Sequence, residues 1–145
     1  MTIERSHGEY LISTDTTLLD LDLMRRWLAE ESYWAKGRTL DTVEMAVAHS
    51  LNFGVYAPSG EMVGGARVVT DFATFAWLCD VFVVESHRRT GLGKALVATA
   101  VEHPRLKDIK RFALATADAH DLYRQYGFEL LEKPGNFMIR RGPTA

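Results

Sequence analysis

A short basic segment that contains two glycines lies between two apolar runs of the sequence. A helix that begins in such a segment has backbone N–H groups without helical partners, and its dipole favours an anion there. Glycine lets the anion approach the backbone closely, and arginine and lysine add positive charge. The segment therefore predicts a phosphate-binding loop made by Arg88, Arg89, Thr90, Gly91, Leu92, Gly93 and Lys94. The alternative is a plain helix cap with a solvated basic surface.

Two common nucleotide-binding motifs do not fit this loop. A dinucleotide loop needs a third glycine or an alanine where the chain has Leu96. A Walker A loop needs glycine where the chain has Arg88, and serine or threonine where it has Ala95. The spacing that does fit is Arg-x-x-Gly-x-Gly, which runs from Arg88 to Gly93.

A second motif follows after one predicted helix and one predicted strand. Its pattern is Ala-x-x-x-Tyr-x-x-x-Gly-Phe, made by Ala119, Tyr123, Gly127 and Phe128. With these two motifs the chain resembles the GNAT superfamily of N-acetyltransferases over about residues 75–130. The resemblance implies an α/β (α+β) fold, in which helices cover both faces of a mixed, mostly antiparallel central sheet (three-layer αβα). Thr116 stands where the family often has asparagine, which puts one hydrogen bond to cofactor or substrate in doubt.

The resemblance also implies a reaction, in which the acetyl group of acetyl-CoA moves to a primary amine without a metal. The loop would hold the pyrophosphate, and Thr116 and Tyr123 would contact the cofactor. Backbone N–H groups at Val81, Phe82 and Val83 would bind the pantetheine amide and the oxyanion. Tyr123 is expected to be the general acid, because a phenol with a pKa of about 10 stays protonated at neutral pH and can protonate the leaving thiolate. The alternative role of Tyr123 is packing in the core.

The general base is less sharply defined by the sequence. Asp80 is the single acid in the apolar run 74–86, and burying a carboxylate is costly unless it is paired or used. It could act as the base, directly or through a water, or anchor a cationic amine. It could equally be a structural carboxylate paired with Arg67 or with backbone donors. The other candidates for the base are Glu85, Asp71 and Glu44.

The acceptor pocket is expected at the segment between the first two helices, residues 32–38. Tyr33 and Trp34 could receive an amine by cation–π contact, worth about 0.5–2 kcal/mol, or they could pack inward at the end of a helix. With Asp71 and Asp80 as further members, the pocket favours a small cationic amine. A peptide or protein amine is the competing acceptor, and a CoA-binding regulatory module without turnover is the competing function.

Size and composition limit the other function classes. The chain has 145 residues, 47% hydrophobic and 25% charged, which predicts one globular domain over 1–145. Its formal net charge of −2 gives no support for nucleic-acid or membrane-surface binding. The lone Cys79 excludes an internal disulfide, the five histidines show no metal-ligand spacing, and no apolar run approaches the roughly 20 residues of a membrane span. We expect a cytoplasmic protein without a signal peptide, and both a monomer and a homodimer stay open.

The elements that must position these residues follow from periodicity and punctuation. We predict a first strand over 8–13, a helix capped by Asp20 or Asp22, a second helix capped by Thr39, and a hairpin over 52–71. A buried central strand over 74–86 leads through the glycine loop to a helix over 91–103. A strand over 109–115, a short helix over 117–126 and two weak strands over 128–132 and 136–140 complete the chain.

Overall fold

Within the described residues, six strands form one sheet in sequence order, and four helices pack against it. The structure is a computed structural model that describes residues 1–143. Neighbouring strands are antiparallel, except that the last two are parallel. The strands are β1 (Glu4–His7), β2 (Tyr10–Ser13), β3 (Leu51–Tyr56), β4 (Met62–Thr70), β5 (Ala76–Val83) and β6 (Phe112–Leu114). The helices are α1 (Leu21–Glu30), α2 (Leu40–Ala48), α3 (Leu92–Glu102) and α4 (His120–Arg124).

Helices cover both faces of the sheet, as predicted. On one face, α1 and α2 bury Met24, Leu28 and Val43 against Tyr56 and Phe82 of the sheet. On the other face, Leu92, Leu96 and Ala100 of α3 pack on sheet residues that include Phe53 and Val68. Each helix contributes one apolar stripe and each strand alternates its side chains, so two separate cores form with the sheet between them. The mixed, mostly antiparallel αβα arrangement is thus confirmed.

The helix boundaries follow the predicted caps. The Asp20 side chain accepts a hydrogen bond from the Leu23 N–H, and the Thr39 side chain accepts one from Thr42. These side-chain oxygens partner backbone donors that the first helical turn leaves free, so α1 and α2 begin directly after them. Asp20 rather than Asp22 is the cap of α1. By contrast, no side chain caps α3, which begins after Gly91.

The first strand is a hairpin rather than the single strand predicted over 8–13. Gly8 adopts a φ of 57° and, with Glu9, turns β1 back onto β2, so that His7 pairs with Tyr10. Sequence periodicity missed β1 because its residues, Glu-Arg-Ser-His, are polar and remain largely exposed. An edge strand needs only one buried face or a paired neighbour, and β1 relies on pairing with β2.

The two weak strands predicted over 128–132 and 136–140 are wrong. In the structure this stretch carries only a 3-10 turn over Pro134–Asn136. Proline cannot donate a ladder hydrogen bond and Gly135 weakens strand pairing, which together interrupt the alternation that suggested a hairpin. Most apolar side chains after Phe128 stay in solvent, with Leu130 71% and Met138 91% exposed.

A β-bulge interrupts β5 at Asp80. Gly65 pairs with Phe82 and Arg67 pairs with Cys79, so Ala66 alone lies opposite two residues of β5. Asp80 has a φ of 52°, which is uncommon for a residue other than glycine. Ala76 and Leu78 before the bulge pack in the same core as Val81 and Val83 after it, so the alternation continues with one residue inserted. Pairing with β6 extends only from Ala76 to Leu78.

Gly64 is expected to be intolerant of a side chain. A Cβ atom at this position would lie 2.7 Å from the backbone carbonyl oxygen of Phe82, on the neighbouring strand. Because backbone cannot rotate away as a side chain can, Gly64→Ala should lower the free energy of unfolding by about 1–3 kcal/mol. Urea denaturation measures this change. Gly135→Ala is the matched control, since nothing lies within 4 Å of its Cβ position, and equal stability of both variants would contradict the expected clash.

Candidate active site

An open cleft lies where β5 and β6 stop pairing, just before the bulge. Its volume is about 990 Å³, and it runs from the beginning of α3 across β5 to the segment between α1 and α2. Leu78 and Leu114 form the last pair between the two strands, and beyond them the strands diverge. Of the predicted cofactor residues, Lys94 lies outside the cleft. The others line it, namely Val81, Phe82, Val83, Arg88, Arg89, Thr90, Gly91, Leu92, Gly93, Thr116 and Tyr123.

The glycine loop presents the N-terminus of α3 to one end of this cleft. Gly91 has a φ of 78°, a conformation that glycine adopts without strain, and a Cβ here would lie 3.2 Å from His7 Nε2. At Gly93 nothing lies within 4 Å of the Cβ position, so space beside the backbone is open. An uncapped helix N-terminus with open space beside it can bind an anion.

Two histidines that the sequence did not single out brace the glycine loop. His7 Nε2 donates to the Thr90 carbonyl oxygen at 2.7 Å, and His87 Nδ1 is hydrogen-bonded with the Tyr10 hydroxyl at 2.9 Å. Both contacts join the N-terminal hairpin to the loop across more than 70 residues of sequence, which is why spacing alone could not reveal them. The loop is thereby held before any ligand binds.

The two loop arginines are positioned differently. Arg88 donates from Nε to the carbonyl oxygen of Val83 at 3.0 Å, which fixes its side chain against the end of β5. Arg89 has a φ of 65° and is exposed. Both line the cleft beside Gly91, so their positive charges supplement the helix dipole at the same end.

Tyr123 lines the cleft from α4 and is half-buried. Its ring packs against the core beneath α3 and meets Phe128 edge-on, with 6.0 Å between ring centroids. Burial, with smaller contributions from Tyr33 and Asp118, raises the pKa of Tyr123 above its usual value. The phenol therefore stays protonated at neutral pH. Tyr126, on the same short stretch of chain, does not line the cleft.

Asp80 lies buried beside the cleft with both carboxylate oxygens engaged. Trp34 Nε1 donates to Oδ1 at 2.8 Å, while Arg38 Nη1 and Arg67 Nε donate to Oδ2 at 2.7 and 2.9 Å. Burial opposes ionisation, but the charges of Arg67 and Arg38, with these hydrogen bonds, hold the pKa of Asp80 below its usual value. A carboxylate with a lowered pKa and no free oxygen is a weak base, so the geometry favours the structural alternative, in which Asp80 pairs with Arg67.

Aromatic side chains form the end of the cleft opposite the glycine loop. Trp27 stacks on Phe82 with 4.8 Å between ring centroids, and Trp34 lies 5.8 Å from Trp27. The Tyr33 hydroxyl accepts a hydrogen bond from the Ala117 N–H at 2.9 Å, which joins the α1–α2 segment to the chain after β6. The predicted pocket residues Tyr33 and Trp34 thus line the cleft together.

Asp71 does not belong to this pocket, contrary to the prediction. It is exposed in the turn between β4 and β5, and it accepts hydrogen bonds from the backbone of Ala73 and Thr74 and from the Thr74 hydroxyl. These bonds lower its pKa, chiefly through Thr74, and make Asp71 a turn residue. Neither Glu85 nor Glu44, the other base candidates, lines the cleft.

Replacing Asp80 with asparagine should expose the cost of two unpaired guanidinium groups. Asparagine tolerates a positive φ, so the change removes the charge without straining the bulge. We expect the free energy of unfolding at pH 7 to fall by about 3 kcal/mol. Because its folded-state pKa is lowered, Asp80 stabilises the wild type above its unfolded pKa of about 3.9, and this stability is lost as the pH falls through the folded-state pKa. The difference between the two proteins should therefore shrink in acid.

Urea denaturation at a series of pH values measures this difference. Asp121→Asn is the matched control, since Asp121 forms an exposed pair with Arg124 and should change stability by less than about 0.5 kcal/mol. An Asp80→Asn protein as stable as the control at pH 7 would mean that the arginine pairing contributes nothing.

Known proteins resemble this chain in sequence and in fold. The model of the acetyltransferase (GNAT) family matches residues 21–128. A Gibberella zeae protein assigned as an acetyltransferase is 28% identical over 137 residues, which cover 81% of this chain and 77% of that protein. A crystal structure from Xanthomonas campestris pv. campestris, assigned to the GNAT family, has a TM-score of 0.90 at 44% identity and covers 95% of this chain and 96% of its own.

A more distant structure shows the fold alone. It is a Mycobacterium tuberculosis protein in complex with CoA and a second ligand, with a TM-score of 0.69 at 18% identity, and the match covers 83% of this chain and 72% of that one. The family model, in contrast, spans most of the chain, and its match includes both the glycine loop and Tyr123. On this evidence the chain belongs to the GNAT family of acetyltransferases.

Proposed function

We propose that this acetyltransferase moves the acetyl group of acetyl-CoA to the primary amine of a small molecule, with Tyr123 as the general acid. One observation carries the proposal: Tyr123 lines the same cleft as the phosphate-binding end of α3. A donor whose phosphates bind at Gly91 and Gly93 can therefore extend along β5 toward the phenol. The open space beside Gly93 and the uncapped N-terminus of α3 fit a pyrophosphate.

The residues of the cleft have separate tasks in this reaction. Acetyl-CoA supplies a thioester, whose carbonyl carbon forms a bond to the amine nitrogen while its bond to sulfur breaks. Backbone N–H groups at Val81 to Val83 stabilise the oxyanion, because β6 no longer pairs with this part of β5. Tyr123 gives its proton to the departing thiolate and regains one from water. The amine gives up its surplus protons to water, since Asp80 is held by two arginines.

A contact between two segments at the acceptor end favours a small molecule over a peptide. The Ala117 N–H donates to the Tyr33 hydroxyl at 2.9 Å, and both residues line the cleft, so this bond joins the α1–α2 segment to the chain after β6. A peptide that extends past the amine here has to compete with that bond. The lowered pKa and double pairing of Asp80 also remove the basis for a cationic pocket that included Asp71 and Asp80.

A CoA-release assay with a panel of amines tests this function. We expect a thiol reagent to detect free CoA only when acetyl-CoA and a small primary amine are both present, and mass spectrometry to find one added acetyl group on the amine. Release with peptides but not with small amines would refute the small-molecule acceptor. Saturable binding of acetyl-CoA without release for any amine would favour a CoA-binding regulatory module instead.

The setting of the activity is part of the proposal. We propose that residues 1–145 act as one domain in the cytoplasm, where the free thiol of Cys79 would stay reduced. The acceptor is a small-molecule amine, with neither nucleic acid nor membrane as a partner. None of the helices within residues 1–143 combines the length and the apolar composition of a membrane span. Size-exclusion chromatography would distinguish a monomer from a homodimer.

A further inference from the structure

The acceptor end of the cleft contains more buried positive than negative charge. Arg38 and Arg67 both line the cleft, with side chains 20% and 14% exposed, and both pair with the same Asp80 carboxylate. Two guanidinium groups against one carboxylate leave one positive charge uncompensated in a mostly buried place. The other acids along the cleft, Glu31 and Asp118, are exposed to solvent, which screens their charges.

Both arginines keep N–H groups free for a ligand. A guanidinium has five N–H donors. Arg38 uses one toward Asp80, and Arg67 uses one toward Asp80 and one toward the Ser50 hydroxyl, at 2.9 Å. Among the contacts of residues 1–143, the remaining donors have no protein acceptor. Donors of this kind bind carboxylates and phosphates in paired hydrogen bonds.

The charge balance distinguishes between these two anions. A carboxylate carries one negative charge, which neutralises the surplus of the Arg38–Asp80–Arg67 cluster, whereas a phosphate monoester carries about 1.5 to 2 at neutral pH. The phosphate-binding end of the cleft lies elsewhere, at Arg88, Arg89 and α3. A single carboxylate is therefore the anion that completes the cluster.

The surroundings of the cluster define the rest of the acceptor. Trp34 bonds to Asp80 and lies edge-on to Tyr33, with 5.1 Å between ring centroids. Trp27 and Phe82 continue this aromatic wall along the cleft. Aromatic rings of this kind pack against apolar groups or other rings.

From these contacts we infer that the acceptor is an amine that also carries a carboxylate and an apolar or aromatic body, as an apolar amino acid does. The carboxylate binds the free N–H groups of Arg38 and Arg67, and the body packs on the aromatic wall. This inference rests on the proposed acetyl transfer. In that reaction the amine nitrogen forms the amide bond as the bond from carbonyl carbon to sulfur breaks. The ammonium form of the acceptor loses two protons to water, and Tyr123 protonates the leaving thiolate and regains one proton, so CoA leaves as the thiol and one proton is released in all.

Matched acceptors that differ only at the carboxylate test the inference. For L-phenylalanine, L-phenylalaninamide and 2-phenylethylamine, and for leucine with its amide, kcat/KM is measured by CoA release. We expect the acids to be better acceptors by roughly 10- to 100-fold, the range of a hydrogen bond to a charged group. The amine of each amide is less basic than that of the acid, so more of it is unprotonated and reactive at neutral pH. Intrinsic reactivity alone would therefore favour the amides, not the acids. Equal or faster release with the amides or with 2-phenylethylamine would overturn the inference and leave acetyl transfer intact.

The Arg38→Gln variant links the preference to the cluster. It leaves Asp80 paired with Arg67 and Trp34, and therefore neutralises the surplus charge without stranding a carboxylate. The ratio of kcat/KM for the acid to kcat/KM for the amide should fall by about 10-fold or more in this variant. It should stay unchanged in Arg5→Gln, whose arginine forms an exposed pair with Glu102 outside the cleft. An unchanged ratio in a folded Arg38→Gln protein would exclude the cluster as the carboxylate site.

A binding measurement separates this inference from the proposed function. Calorimetry with the wild-type protein and CoA compares N-acetyl-L-phenylalanine with its amide, and needs no turnover. Tighter binding of the acid by about 10-fold supports the carboxylate site, whether or not any amine releases CoA. Absence of CoA release with every amine would contradict the proposed acetyl transfer but not the carboxylate site. Binding of the amide as tight as that of the acid would overturn the carboxylate site.

Discussion

Replacing Gly91 with glutamate should weaken acetyl-CoA binding by about 30-fold or more, a loss of roughly 2 kcal/mol. Three effects act in the same direction. The φ of 78° strains any residue with a Cβ, the added side chain meets His7, and the carboxylate lies at the positive end of α3 where the phosphates are to bind. Isothermal titration calorimetry with acetyl-CoA measures the dissociation constant directly.

Gly135→Glu is the control for this change. It adds the same charge on the C-terminal turn, where nothing lies within 4 Å of the Cβ position, and should bind acetyl-CoA as the wild type does. Because Gly91→Glu also strains the backbone, Arg88→Glu provides a second test in which no glycine is lost. Wild-type affinity in folded forms of both loop variants would mean that the loop is a helix cap with a solvated basic surface.

Removing the hydroxyl of Tyr123 should lower kcat by about 100- to 10,000-fold, the usual contribution of general acid catalysis. The ring of Tyr123 packs in the core, and Tyr123→Phe keeps that ring. Acetyl-CoA affinity should therefore fall by no more than about tenfold, since a neutral hydrogen bond contributes only about 0.5–1.5 kcal/mol. Steady-state kinetics and calorimetry on the same preparation separate the two quantities.

Tyr126→Phe is the matched control, because Tyr126 lies three residues away and does not line the cleft. It should retain wild-type kcat. If Tyr123→Phe were as active as this control, Tyr123 would be a packing residue and the thiolate would take its proton from another group. A parallel loss of affinity and kcat would indicate a binding role instead.

Local patterns in the sequence were sufficient for the glycine loop and for the main elements. The helix caps at Asp20 and Thr39 act within three residues, and the apolar run before the loop forms β5 because its residues alternate between the two cores. Each of the two motifs is also a short continuous segment. The helix and the strand predicted between them were enough to assign both motifs to one cleft. Lys94 shows the limit of this reasoning, since it lies one residue beyond the part that faces the cleft.

Contacts between residues that are far apart in the sequence could not be predicted from the spacing of motifs. Arg38 and Trp34 bond to Asp80 across more than 40 residues, and nothing local marks them as its partners. The pocket prediction for Asp71 fails for the opposite reason, because a turn satisfies its carboxylate within four residues. The C-terminal stretch alternates as strands do, but strands need a partner edge, and only the structure shows that none is used.

The bulge at Asp80 has a consequence for how such a cleft can arise in a chain. Without residue 80, the side chains of β5 would alternate regularly between the two cores from Ala76 to Val83. A regular strand presents an unbroken ladder edge to a parallel neighbour, whereas a bulge bends the strand and disrupts the ladder locally. One inserted residue therefore changes both the course of the strand and the charge beside the cleft, because its carboxylate pairs with both arginines.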